Sequence, residues 1–122
     1  MGKVLIVDDQ PVIRKLLFEV LDDEFDVRFA ETGEEAIVIS QDFKPDVILL
    51  DIGLAGMSGV EAIPEFKKLS PKSNIIMLTG SANGSLINKA LSCGASDCIT
   101  KPFDIFELKT RLENIISKQS AV

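Results

Sequence analysis

Apolar residues along this chain take turns between two periodicities. Unbroken runs at Val4–Val7, Val47–Leu50 and Ile75–Leu78 consist of valine, isoleucine, leucine and one methionine, as expected of strands buried on both faces in a parallel sheet. Asp26–Ala30 and Asp97–Thr100 read as two shorter strands. Between the runs the spacing becomes helical. Ile13, Leu16, Leu17, Val20 and Leu21 mark a first helix that ends at Asp22-Asp23. Pro11 sits near its first position, where a missing N–H costs nothing. Thr32-Gly33-Glu34-Glu35 has capping-box spacing and opens a helix to about Gln41, closed by the Lys44-Pro45 step. A third helix runs from about Gly59 to Leu69 with Pro64 inside it, where a kink is expected. A fourth lies around Leu86–Cys93 with Gly94 as its C′ residue. Asp104 and Glu107 open the last, which carries Ile105, Leu108, Leu112 and Ile115. The pattern is strand and helix repeated five times, an α/β domain over residues 1–117 with 118–122 as a frayed tail.

The polar residues that end these runs carry the chemistry. Val4–Val7 ends on Asp8 and Asp9, Val47–Leu50 on Asp51, Ile75–Leu78 on Thr79, and Cys98–Thr100 on Lys101. Open parallel sheets place their ligand crevice at the carboxyl ends of the strands. Three carboxylates, a hydroxyl and an ammonium meeting there would bind a divalent cation and a phosphoryl group, with one carboxylate as nucleophile. Singly, each has an ordinary reading: Asp8 and Asp9 as a strand end and helix N-cap, Asp51 as a turn acid, Thr79 as a cap, Lys101 as a solvated charge. Jointly, the ordinary readings must explain why every one of these groups sits at a strand terminus.

Composition narrows the partners. The chain has 122 residues, 46% of them hydrophobic, and a net charge of −6 from thirteen basic and nineteen acidic side chains. That balance argues against nucleic acid or an anionic membrane as the main partner and for a protein surface. Neither a secretory leader nor a membrane-length apolar run is legible, so a cytoplasmic location is expected. Histidine is absent, which removes histidine-based nucleophilic systems and leaves oxygen ligands suited to magnesium. Cys93 and Cys98 read as packing residues rather than a disulfide.

Val7-Asp8-Asp9, Asp51 after a strand, Thr79-Gly80 and Lys101-Pro102-Phe103, in this order and spacing, resemble the receiver domain of two-component response regulators over nearly the whole chain. The resemblance implies a doubly wound, flavodoxin-like sheet of order 2-1-3-4-5. It implies that Asp51 accepts a phosphoryl group from a phosphohistidine on a histidine kinase or histidine phosphotransfer protein, and that a downstream protein reads the result. Mg²⁺ would be held by Asp9, Asp51 and the Gly53 carbonyl, with Asp8 acting through water. Lys101 would pair with one phosphoryl oxygen, while Thr79 and nearby amides such as that of Gly80 donate to another. A cis Lys101-Pro102 peptide would turn the lysine over the site. Catalysis by the chain itself would be limited to phosphoryl capture and slow self-hydrolysis.

Val7-Asp8-Asp9-Gln10 and Lys101-Pro102-Phe103-Asp104-Ile105 are similar to the single-domain sporulation phosphorelay regulators, so a stand-alone switch or phosphorelay shuttle is expected. Seven apolar residues in Val12–Leu21 exceed one buried stripe; part of that surface, with Pro102 and Phe103, is the expected docking patch. Two positions depart from the family pattern: Ala55 stands where relatives usually have proline, and Cys98 where they commonly carry an aromatic that relays the signal. Other readings are the amino-terminal piece of a larger transcriptional regulator and a haloacid dehalogenase-type phosphohydrolase. The latter normally needs a second acid where Gly53 stands. A flavodoxin-like cofactor module lacks support, since tyrosine and tryptophan are absent. A pseudo-receiver scaffold would not need the acidic, threonine and lysine positions.

Overall fold

The computed structural model describes residues 2–51, 59–79, 84–100 and 103–120. Its elements alternate throughout: β1 (Gly2–Val7), α1 (Pro11–Leu21), β2 (Phe25–Ala30), α2 (Gly33–Phe43), β3 (Val47–Asp51), α3 (Gly59–Leu69), β4 (Asn74–Thr79), α4 (Gly84–Cys93), β5 (Asp97–Thr100) and α5 (Ile105–Ser120). The strands pair in parallel in the order β2-β1-β3-β4-β5. This is the doubly wound sheet that the motifs implied.

The unbroken apolar runs divide by parity. Leu5, Val7, Ile48, Leu50, Ile75 and Met77 point to one face, where Ala36 and Phe43 of α2, Ile63 and Phe66 of α3, and Ala90 of α4 cover them. Val4, Ile6, Val47, Leu49, Ile76 and Leu78 point to the other, under Leu17 and Leu21 of α1 and Leu108 and Leu112 of α5. Because a strand's side chains alternate, a strand sandwiched between two helical layers must be apolar at every position. That is why the central runs lack the alternation of a half-exposed sheet.

Element ends follow local chemistry. Glu35 N–H donates to Thr32 Oγ1 at 3.1 Å, and Asp104 Oδ1 accepts the Phe106 and Glu107 amides at the start of α5. After α4 the Ala95 amide reaches the Ala90 carbonyl and the Gly94 amide the Leu91 carbonyl. This is a Schellman closure, and it sets Gly94 at φ 123°. Several boundaries differ from expectation. β1 starts at Gly2 and α2 continues to Phe43. Helix α3 keeps its expected bounds, Gly59 to Leu69, with Pro64 inside it. Helix α5 continues to Ser120, so most of the expected tail is helical.

The amino ends of the strands are tied together away from the carboxyl edge. Lys3 and Asp46 exchange two bonds, with the Lys3 amide on Asp46 Oδ2 and the Asp46 amide on the Lys3 carbonyl, both 2.8 Å. Ser73 Oγ donates to the Pro45 carbonyl, and the buried Ser70 and Ser73 hydroxyls lie 2.6 Å apart. These links fix where β1, β3 and β4 enter the sheet, and therefore how their opposite ends align.

Candidate functional site

Register decides which chain ends meet. Val7 pairs with Leu50, so one further step sets Asp8 beside Asp51. Asp51 pairs with Leu78, which puts Thr79 one residue beyond on the neighbouring strand. Asp8 is fully buried, and Asp51 and Thr79 are nearly so; Asp9 is exposed. One carboxylate oxygen from each of Asp8, Asp9 and Asp51 lies within 4.8 Å of the others.

Two buried carboxylates at that separation repel by about 3 kcal/mol at an effective dielectric near 20, before any partner is counted. An all-oxygen, anionic donor set is the chemistry that hard divalent cations require. The residues present therefore fit magnesium or calcium, and among the described residues Asp8, Asp9 and Asp51 would hold it.

The loop that carries two of these acids is tightly held. Asp8 N–H donates to the Ala30 carbonyl at 3.1 Å, and Asp8 Oδ1 accepts the Gln10 amide at 2.8 Å. Arg14 Nη1 donates to the Asp8 carbonyl at 3.1 Å and pairs with Glu31 Oε1 at 3.3 Å. The ordinary reading of Asp8 or Asp9 as the cap of α1 does not hold, because Gln10 occupies the N-cap position and makes no side-chain cap bond. Asp8 instead closes a turn one step earlier, a role aspartate performs readily.

Gly53, Gly80, Lys101 and Pro102 lie outside the described residues, as does Ala55. Phe103 is half-buried and packs on the cluster beneath α1 and α5, which favours packing over partner contact. The apolar excess on α1 is real: Val12 is 77% exposed and Leu16 46%, whereas Leu17 and Leu21 are buried. Cys98 borders a hollow of about 320 Å³ with Phe103, Glu107 and Arg111. Partial burial, and after it the charge of Asp97, push its thiol above the ordinary value of 9.0. Arg14 and Glu31 were missed by sequence reasoning; a basic residue six positions after Asp8 has no spacing signal that separates it from a solvated helix charge.

The response regulator receiver domain model matches residues 4–113. The sporulation initiation phosphotransferase F of Bacillus subtilis is 34% identical over 119 residues, 97% of this chain and 96% of that protein. A CheY-like response regulator receiver domain protein from Methanospirillum hungatei superposes with a TM-score of 0.93 at 28% identity, covering 98% of this chain and 97% of the other. A response regulator from Burkholderia pseudomallei, solved with a phosphorylated aspartic acid, calcium ion and citrate, superposes with a TM-score of 0.86 at 27% identity, covering 98% and 72%. A parallel sheet whose register gathers acids at one edge, matched by the family over almost its full length, identifies the chain as a receiver domain of two-component response regulators.

Proposed function

We propose that this receiver stores a signal as a phosphoryl group on Asp51, taken from a phosphohistidine of a histidine kinase or phosphotransfer protein and passed on or read by a downstream protein. The observation that carries the proposal is the convergence of Asp8, Asp9 and Asp51 within 4.8 Å, with Asp51 almost wholly buried at the end of the central strand. An Asp51 carboxylate oxygen forms the new P–O bond while the P–N bond to the donor histidine breaks, and the imidazole leaves with its electron pair. Asp9 and Asp51, with Asp8 and the Gly53 carbonyl, would hold Mg²⁺, which would supply positive charge to offset the incoming phosphoryl oxygens.

The chain's own donors complete the charge balance. Thr79, one residue beyond the partner of Asp51 at the same sheet edge, and the Gly80 amide donate to one phosphoryl oxygen; Lys101, of the Lys101-Pro102 step, compensates a second. Water then cleaves the acyl phosphate slowly, so the chain acts as a switch or phosphorelay shuttle rather than a turnover enzyme. Support for the acceptor role comes from the phosphorylated aspartic acid in the Burkholderia relative, and for the relay role from the sporulation phosphotransferase. No helix among the described residues is long and apolar enough to cross a membrane, in keeping with action in the cytoplasm. The receiver unit is proposed to span residues 1–117.

Intact-mass spectrometry tests the proposal. Acetyl phosphate with Mg²⁺ adds the mass of one phosphoryl group to the wild type and none to Asp51→Asn. Full labelling of the asparagine variant removes Asp51 from the role.

A further inference from the structure

We infer that Arg14 is a positioning residue for the cation site, and that Glu31 keeps the arginine's charge from opposing the cation. This rests on the reading of Asp8, Asp9 and Asp51 as cation ligands. Asp9 is exposed, so its place in the cluster depends on the backbone that leads into it. That backbone is the peptide unit joining Asp8 to Asp9, and its carbonyl oxygen is the atom Arg14 Nη1 holds at 3.1 Å. With the Asp8 amide bound to Ala30 and its Oδ1 bound to Gln10, the arginine contact fixes the carbonyl of the same residue. Both carboxylates then leave the loop in set directions.

The device carries an electrostatic difficulty. A guanidinium stays protonated at every relevant pH, and a second cation beside it is disfavoured by Coulomb repulsion. Arg14 is also mostly sheltered from solvent, with a side chain only 15% exposed, so water screens it weakly. Glu31 answers this from the β2–α2 loop. Its carboxylate lies 3.3 Å from the same Nη1, so the nitrogen that donates to the Asp8 carbonyl is also ion-paired with a neutralising acid. Arg14 thus orients the loop without presenting a bare charge to the metal.

Calorimetric titration of Mg²⁺ into the folded full chain, alongside thermal unfolding in EDTA, separates positioning from simple stability. R14A lowers Mg²⁺ affinity by about tenfold, the usual scale for groups that orient ligands, and R14K restores part of it because a lysine ammonium can still reach an acceptor. E31Q, which keeps the hold on Asp8, lowers affinity by roughly threefold through the uncompensated charge, the scale of a solvent-exposed ion pair. In the R14A background E31Q has no further effect. Wild-type binding with R14A unchanged, or an E31Q loss that persists without Arg14, overturns this inference alone. No saturable Mg²⁺ binding by the wild type overturns the cation site and this inference with it.

Discussion

Asp8 Oδ1 accepts the Gln10 amide at 2.8 Å, so a carboxylate of the acidic cluster also closes the turn between β1 and α1. The two roles separate by substitution. Asp8→Asn retains an oxygen for the Gln10 N–H but loses the charge; Asp8→Ala loses both. Mg²⁺ affinity falls by about tenfold in each, on the scale expected of a ligand that acts through water. Metal-free stability falls by about 1 kcal/mol more in the alanine variant than in the asparagine variant, the net value of one such bond. Equal metal-free unfolding midpoints for the two variants would show that the turn bond contributes nothing.

Val12 and Leu16 lie one helical turn apart on α1 and are both exposed, while the same helix buries Leu17 and Leu21. Val12→Asp and Leu16→Asp leave the core untouched and place a charge where a phosphodonor would dock. Phosphotransfer from a phosphohistidine protein slows by about tenfold, as loss of an interface contact worth ~1.4 kcal/mol requires. Labelling by acetyl phosphate, which needs no docking surface, stays at the wild-type rate. A matching fall in both reactions would move the effect from docking to the site itself.

Cys98 is neutral at physiological pH because burial, and then the Asp97 carboxylate, raise its pKa above 9.0. In a Cys93→Ser background, iodoacetamide reacts with Cys98 along a pH profile displaced upward from that of a free thiol. Asp97→Asn shifts the profile back down. The same sign applies to stability: the folded chain holds this proton more tightly than the unfolded one, so the contribution is complete below pH 9 and is lost as pH rises through the folded-state value. A profile displaced downward, or one indifferent to Asp97→Asn, contradicts the assignment.

Gly94 ends α4 at φ 123°, and a Cβ there would come within 3.0 Å of the Lys67 side chain. Gly94→Ala therefore strains the turn that leads into β5. A loss of about 1–2 kcal/mol in urea unfolding is expected, since the backbone conformation excludes alanine even where a lysine stem can move aside. An unchanged midpoint would mean the turn adopts another conformation at no cost.

The frame of this molecule was legible because burial on both faces leaves a strong mark: Val4–Val7, Val47–Leu50 and Ile75–Leu78 have no polar residue that could face water. Asp8, Asp9, Asp51 and Thr79 were legible for the complementary reason, as the first polar positions after such runs. Element ends were less so. Gly2 and Lys3 extend β1 through backbone pairing with Phe25 and Asp26, which no side-chain pattern announces. The hold of Arg14 on the Asp8 carbonyl was not legible, because it depends on a backbone acceptor and on Glu31 arriving from the β2–α2 loop. Lys118–Val122 read as a frayed tail, whereas the helix ladder carries on to Ser120.

Borohydride reduction of the acetyl phosphate-treated protein, followed by peptide sequencing in the mass spectrometer, bears most directly on the central claim, because hydride converts an acyl phosphate to homoserine at the modified residue alone. The account predicts homoserine in place of Asp51, formed only when Mg²⁺ was present during labelling. Homoserine in place of Asp8 or Asp9, with Asp51 intact, would contradict it.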